Sequence, residues 1–279
     1  MTALRQRMIE DMQLHGLSAR TQQSYVGAVK GLADFYHRCP AKLTEEEIRQ
    51  FFLHLIETRQ VAKSTVTVYL SGIKFFCEKT LSKPMPILDL VRFKRRRKLP
   101  CVLTIEEIKS IFAQVRSPTI KMLLVMAYSC GLRLSEATHL KAGDVDMARM
   151  QVKVTGKGGK DRYVPLAQRC RELLEVYLNK HRPAPWLFAG KLNNGPCPGG
   201  TVQKAFRAAL RKTAIDKPAS VHTLRHSYAT HLLENGIDIR IIQAALGHKH
   251  PSTTMVYAHL TSKSVAAYSK VVDAIMHAL

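Results

Sequence analysis

Gln151-Val152-Lys153-Val154-Thr155 and Arg162-Tyr163-Val164-Pro165-Leu166, joined by Gly156-Lys157-Gly158-Gly159-Lys160-Asp161, form the stretch on which the fold class turns. In each arm β-branched or aromatic residues alternate with polar ones, the period of a half-buried strand. The glycine-rich connection reads as a hairpin loop. The chain on either side carries helical spacing instead. The expected fold is therefore mainly α with a small antiparallel β-sheet, an α+β chain.

Upstream, residues 1 to about 80 read as helices alone. Ser18 is placed to cap a helix reaching about His37, with Tyr25, Val29, Leu32 and Tyr36 along one stripe. Thr44-Glu45-Glu46-Glu47 is a capping box ahead of Ile48, Phe51, Phe52 and Leu55. Ser64 is expected to cap a third helix carrying Val66, Tyr69, Leu70, Ile73 and Phe76. These stripes predict a small helical bundle over residues 1–80. Residues 81–101 break the pattern. Pro84, Pro86 and Pro100 flank Arg92-Phe93-Lys94-Arg95-Arg96-Arg97-Lys98, where like charges favour an extended chain. This segment reads as a basic linker. A second region, 102–279, opens on another capping box, Thr104-Ile105-Glu106-Glu107, followed by an apolar helix over 119–130 that Gly131 stops. Helices are expected from the hairpin to the end.

The 279 residues carry 43 Lys and Arg against 21 Asp and Glu, a formal charge of +22. A folded chain with that excess repels itself unless it meets a polyanion, and nucleic acid is the first candidate. No apolar run is long enough to span a bilayer, and no signal peptide follows Met1-Thr2-Ala3-Leu4-Arg5, so a cytoplasmic protein is expected. Six scattered cysteines without a CxxC pair fit reduced thiols.

Four segments hold the residues suited to chemistry. The first is Cys130-Gly131-Leu132-Arg133-Leu134-Ser135-Glu136-Ala137, the second the loop around Lys157. The third is His222-Thr223-Leu224-Arg225-His226, the fourth Leu246-Gly247-His248 leading to Tyr257. Each is ambiguous alone. His222 and Arg225 share a helix face or first turn, where they suit either an anion or a bridge between elements. Arg133 is either a partner for a helix C-terminus or an inward phosphate fork. Lys157 at a loop tip reaches either a ligand or solvent. Tyr257 taken alone reads as a half-buried packing residue with one hydrogen bond.

Taken together, the order Arg … Lys … HxxR … GH … Tyr in a basic chain resembles the tyrosine recombinase and phage integrase family. The strings around Arg133, Lys157, His222 and Gly247 are characteristic of its bacterial members. The resemblance implies a helical core-binding domain over 1–80, the linker, and a catalytic domain over 102–279, closing as a clamp on double-stranded DNA. It implies that Tyr257 attacks the scissile phosphorus, forming a 3′-phosphotyrosyl link and freeing a 5′-hydroxyl. Arg133 and Arg225 would hold the non-bridging oxygens, His222 would serve as base or positioned donor, and His248 as a second donor. Lys157 would protonate the leaving oxygen, with Lys160 as competitor, and Glu136 would support the site from behind. Lys30, Lys63, Ser64 and Lys74 in the first domain, Arg95 and Arg96 in the linker, and Lys160 are expected DNA contacts.

No metal or cofactor is expected, since the phosphotyrosyl link conserves the phosphodiester energy for rejoining. His222, His226 and His231 lack the partners a zinc site needs. The apolar stripe Val265, Tyr268, Val272, Ile275, Leu279 makes Tyr268 a packing residue. In the family such a tail helix docks on a neighbouring protomer, which implies a homo-tetramer on nucleoid DNA and a monomer or dimer when free. The alternative on this reading is that the helix folds back on its own domain. The compact length resembles chromosome-dimer-resolving or mobile-element recombinases without an added arm-binding domain. The other readings are a type IB topoisomerase-like relaxing enzyme and a DNA-binding protein without activity.

Overall fold

The computed structural model describes residues 2–89, 101–156, 159–181, 183, 185–190, 195–247 and 262–278, with the side chains of 87, 89 and 262–269 excepted. The chain divides into two compact units, Met1–Arg97 and Lys98–Leu279.

The first unit is helical. It holds α1 (Ala3–Leu14), α2 (Ala19–Tyr36), α3 (Glu45–Leu53) and α4 (Lys63–Phe75). Ser18 caps α2 by accepting from the Thr21 backbone N–H, as its position predicts. Thr44 and Glu47 form the reciprocal box at α3, with the Thr44 N–H donating to Glu47 Oε2 at 2.8 Å. The cap assigned to Ser64 is a misreading: α4 starts at Lys63 with Ala62 at the cap position and no side-chain cap. The helix begins early because an exposed Ala-Lys pair does not oppose helical dihedrals, so Ser64 falls inside the first turn. Helices α3 and α4 each run on into a π-helical turn, His54–Thr58 and Phe76–Thr80. The predicted stripes converge: Val29, Leu32, Ile48, Phe51, Phe52, Leu55, Val66, Ile73 and Phe76 share one core with Met8 and Met12 of α1. Leu88, in a short 3-10 turn over Pro86–Asp89, also joins that core.

In the second unit the Thr104 and Glu107 box opens α5 (Ile105–Ala113). Helix α6 (Pro118–Ser129) is buried at every position from Met122 onward and runs through the core. It explains why the sequence is apolar all round there. Around it pack α5, α7 (Leu134–Thr138), α8 (Gln168–His181) and α10 (Val221–Glu234). The remaining helices are α9 (Gly199–Leu210), α11 (Ile239–Leu246) and α12 (Ser262–His277).

The hairpin forms as read, with β2 (Gln151–Thr155) antiparallel to β3 (Asp161–Pro165). A two-residue strand, β1 (Val145–Asp146), adds on the other side of β2 in the order β1-β2-β3. It is too short for any alternation to reveal it. Register pairs Val152 with Val164 and Val154 with Arg162, and all four are buried. The stretch after α8 is less helical than expected and closes instead through isolated bridges, Lys141 to Trp186 and Ala189 to Pro196.

The tail departs from the neighbour-docked arrangement that the family resemblance implied. Val272, Ile275 and Met276 of α12 are buried in the core of their own unit, against α8, α10 and β3. Asp273 accepts a hydrogen bond from the Gln168 backbone N–H at the start of α8. An apolar stripe buries itself on the nearest apolar surface, and here that surface belongs to the same chain. Leu279 and the side chains of Val265 and Tyr268 lie outside the described residues. No helix among the described residues is long and apolar enough to cross a membrane.

Candidate active site

Gly131 ends the buried helix α6 and turns the chain with φ +60, a left-handed conformation that glycine adopts without strain. A Cβ there would stand 2.6 Å from the Tyr228 ring and 2.8 Å from Leu246. The turn therefore lets α6, α10 and α11 meet closely. It delivers Arg133 to the cap position of α7, whose Glu136 folds back to accept from the Arg133 backbone N–H at 2.9 Å.

Glu136 is buried and gathers cations. Arg133 Nη1 donates to Oε1 at 2.8 Å. Arg162 forks onto both oxygens, Nη1 to Oε1 at 3.0 Å and Nη2 to Oε2 at 2.8 Å. Arg225 Nη1 lies 3.6 Å from Oε2. Burial alone would raise the Glu136 carboxyl. The Arg162 hydrogen bonds, the Arg133 backbone N–H and the Arg162 charge outweigh it and hold the carboxyl at about 2.

The second gathering point is the carbonyl end of α11, closed by Gly247 in the left-handed region. Arg162 Nε donates to the Ala245 carbonyl at 2.8 Å. Arg225 Nη2 donates to the Leu246 carbonyl, and Arg133 reaches the Leu246 and Gly247 carbonyls at 3.5 Å each. Free carbonyls at a helix C-terminus carry partial negative charge and attract cations. Arg225 also donates to the Gly131 carbonyl at 2.8 Å. One carboxylate and one helix end thus hold three guanidiniums together.

Arg225 is fully buried, while the Arg133 side chain keeps 34% of its surface exposed. Burial, then the nearby charge of Arg133, lower Arg225 to about 10, with Glu136 opposing. It remains cationic at neutral pH. His222 stands in the first turn of α10, at the positive end of that helix, and Arg225 follows it by three residues on the same side. His222 is exposed, with its ring edge-on to His226 at 4.8 Å. Partial desolvation, then the charges of His226, Arg225 and Arg133, lower its imidazole from the ordinary value. His222 is accordingly neutral near pH 7 and able to accept a proton.

Among the residues singled out from sequence, the fold brings Arg133, Glu136, His222 and Arg225 to one place. Arg133 reaches a helix C-terminus, that of α11, and its side chain stays partly open to solvent. Lys157, His248 and Tyr257 lie outside the described residues, as do Arg95 and Arg96. Lys160 is exposed beside the loop. In the first unit Lys30 lines a cavity of about 430 Å³ with Asp34, Phe35, His54 and Tyr69. Lys63 and Ser64 are exposed in the first turn of α4, and Lys74 pairs with Glu78 at 3.5 Å. His231 does not join His222 and His226; it is buried against the Tyr128 hydroxyl at 2.7 Å. No metal-sized group of three His, Cys, Asp or Glu side chains occurs among the described residues.

Sequence reading missed Arg162. The available signal was its place in the strand: alternation with Val164 puts a cation on the core face, where it must be paired.

Comparison with known proteins follows the same outline. The profile of the Phage integrase family matches residues 102–264, and that of the Phage integrase, N-terminal SAM-like domain matches residues 4–87. A putative integrase/recombinase of Sinorhizobium fredii is 37% identical over 273 residues, covering 96% of this chain and 88% of the relative. Tyrosine recombinase XerD of Halalkalibacterium halodurans is 33% identical over 266 residues, covering 88% and 89%. A lambda integrase tetramer bound to a Holliday junction shares the fold at TM-score 0.73 and 18% identity, covering 90% of this chain and 77% of that one. Nothing in these matches supports the topoisomerase reading. With two profiles spanning most of its length and full-length relatives above 30% identity, the chain belongs to the phage integrase family and is a tyrosine recombinase of site-specific DNA recombination.

Proposed function

We propose that Arg133 and Arg225 bind one scissile phosphate of double-stranded DNA while Tyr257 attacks its phosphorus. The observation that carries this reading is the convergence of both guanidiniums on the Leu246 carbonyl, beside His222 at the positive end of α10. Charge builds on the non-bridging oxygens in the pentacoordinate transition state. Planar, permanently charged donors already held in place stabilise it without reorganising. His222, neutral near pH 7, takes the phenol proton or donates to the phosphate. His248 follows directly on the arginine-bound end of α11 and supplies a further donor. The attack forms the 3′-phosphotyrosyl bond as the P–O5′ bond breaks, and the leaving oxygen takes a proton from Lys157. Rejoining is the reverse attack by a 5′-hydroxyl, so no metal or nucleotide enters.

Residues 1–80 act as the core-binding domain, 81–101 as a basic linker and 102–279 as the catalytic domain, closing around a duplex. Lys30, Lys63, Ser64, Lys74, Arg95, Arg96 and Lys160 contact phosphates or bases. The active assembly is a homo-tetramer on DNA. In it α12 exchanges its apolar face from its own unit to the equivalent surface of a neighbour.

A suicide substrate carrying the protein's target site tests the reading. The expected product is a covalent protein–DNA adduct, followed by strand exchange with an intact partner site. Tight binding without adduct would leave only a DNA-binding protein. The general acid is assigned by substitution. Lys157→Ala is expected to slow cleavage by about a hundredfold or more, and a 5′-bridging phosphorothiolate, which leaves without protonation, restores it. Restoration for Lys160→Ala alone moves the role to Lys160.

A further inference from the structure

Arg162 stands outside the roles assigned above, yet it touches both points where the site's cations gather, the Glu136 carboxylate and the carbonyl end of α11. Its guanidinium spans both oxygens of Glu136, and its Nε–H holds the Ala245 carbonyl, three residues before His248. A Cβ on Gly247 would come within 3.3 Å of its Cδ, so the side chain lies directly against the turn that leads to His248. It belongs to β3, the strand that closes the hairpin holding Lys157 and Lys160. Its Nε, Nη1 and Nη2 all donate within the chain, to the Ala245 carbonyl and to both oxygens of Glu136.

We infer that Arg162 is a positioning residue for strand cleavage: by occupying the Glu136 carboxylate it leaves Arg133 and Arg225 cationic toward the phosphate. This rests on the site assignment proposed above. Three guanidiniums and one carboxylate leave two net positive charges, matching two phosphate-binding arginines. The fork from Arg162 gives each carboxylate oxygen one hydrogen bond, the bidentate geometry a guanidinium suits, and the Arg133 backbone N–H and Nη1 give each oxygen one more. Arg225, at 3.6 Å, has no hydrogen bond to the carboxylate and spends its donors on carbonyl dipoles, which do not cancel its charge. Without Arg162 the full negative charge of the buried carboxylate falls on Arg133, already bonded to it, and on Arg225 at 3.6 Å, the cations left beside it among the described residues. One of the two charges meant for the phosphate is then neutralised.

The charge balance makes a signed prediction that a purely structural role does not. Arg162→Met leaves one net positive charge, and adding Glu136→Gln returns the site to two. Single-turnover cleavage of the suicide substrate at saturating DNA is measured for the wild type, Arg162→Met and Arg162→Met/Glu136→Gln, together with the DNA dissociation constant. Arg162→Met is expected to lose about a hundredfold in cleavage rate with DNA affinity within about threefold of wild type. The double variant is expected to regain at least tenfold of that loss. Cleavage by Arg162→Met within threefold of wild type overturns the inference, and so does a double variant no faster than the single one. If Arg162→Met does not fold, Arg162→Gln removes the same charge while keeping a polar side chain against Glu136. It is expected to lose more than tenfold, and a rate within threefold of wild type overturns the inference equally. Absence of any adduct from the wild-type protein is a different outcome. It removes the site assignment, and the role of Arg162 falls with it.

Discussion

Tyr257→Phe is expected to abolish the covalent adduct while DNA affinity stays within about threefold of wild type. The substitution removes one oxygen and nothing else, so charge, ring volume and backbone are preserved. A phenol is a poor nucleophile at neutral pH, with an ordinary pKa near 10. It reacts only where cations stabilise the developing charge and a base stands near. On the proposed assignment the guanidiniums of Arg133 and Arg225 supply the cations and His222, whose imidazole is lowered from its ordinary value, supplies the base. Without the oxygen no other side chain in the assigned set can form a phosphodiester bond, and the effect is complete loss, not a graded one. The measurement is adduct yield on a denaturing gel beside a binding isotherm. An undiminished yield from Tyr257→Phe transfers the nucleophile elsewhere and dissolves the mechanism. Tyr268 is the obvious second choice, and Tyr268→Phe is expected to cleave normally.

The second large effect concerns stability. Glu136→Gln is expected to destabilise the unit Lys98–Leu279 by about 3–5 kcal/mol at neutral pH, because it leaves three crowded guanidiniums without their anion. The same interaction sets an acid limit for the wild type. The folded-state value of the Glu136 carboxyl is about 2, below its ordinary 4.5. A depressed carboxylate stabilises the fold above its unfolded-state value and loses that stabilisation as pH falls toward the folded-state value. About 3 kcal/mol is therefore fully present at pH 6–7 and fades from about pH 4.5 downward. Urea unfolding of wild type and Glu136→Gln at pH 7 and pH 3 reads this directly. The gap between the two proteins narrows at the lower pH. A gap that is absent at pH 7, or that widens in acid, shows that Glu136 does not hold the arginines together.

Much of this protein was legible one segment at a time. Local rules placed the Ser18, Thr44 and Thr104 caps, because each needs only a side chain and a backbone N–H three residues away. The hairpin was legible because strand alternation has a fixed period and glycines mark its turn. The same kind of rule failed at Ser64, where a serine near a helix start met no backbone that required it. It also passed over β1, whose two residues have no period to read. The strings around Arg133 and Arg225 pointed to the family, and the comparisons bear that out.

The sequence by itself determined which side chains are present, in which local conformation, and with what surplus of positive charge. Only the tertiary structure decided which of them share a carboxylate. Arg133, Arg162 and Arg225 are separated by tens of residues and meet because Gly131 lets three helices close around one turn. It also decided where the tail goes, since Val272, Ile275 and Met276 would bury themselves equally well on any apolar surface. The reason is the same in both cases. A cap or a strand is governed by neighbours along the chain, whereas ion pairs and apolar burial act through space and carry no record of which partner the fold will supply.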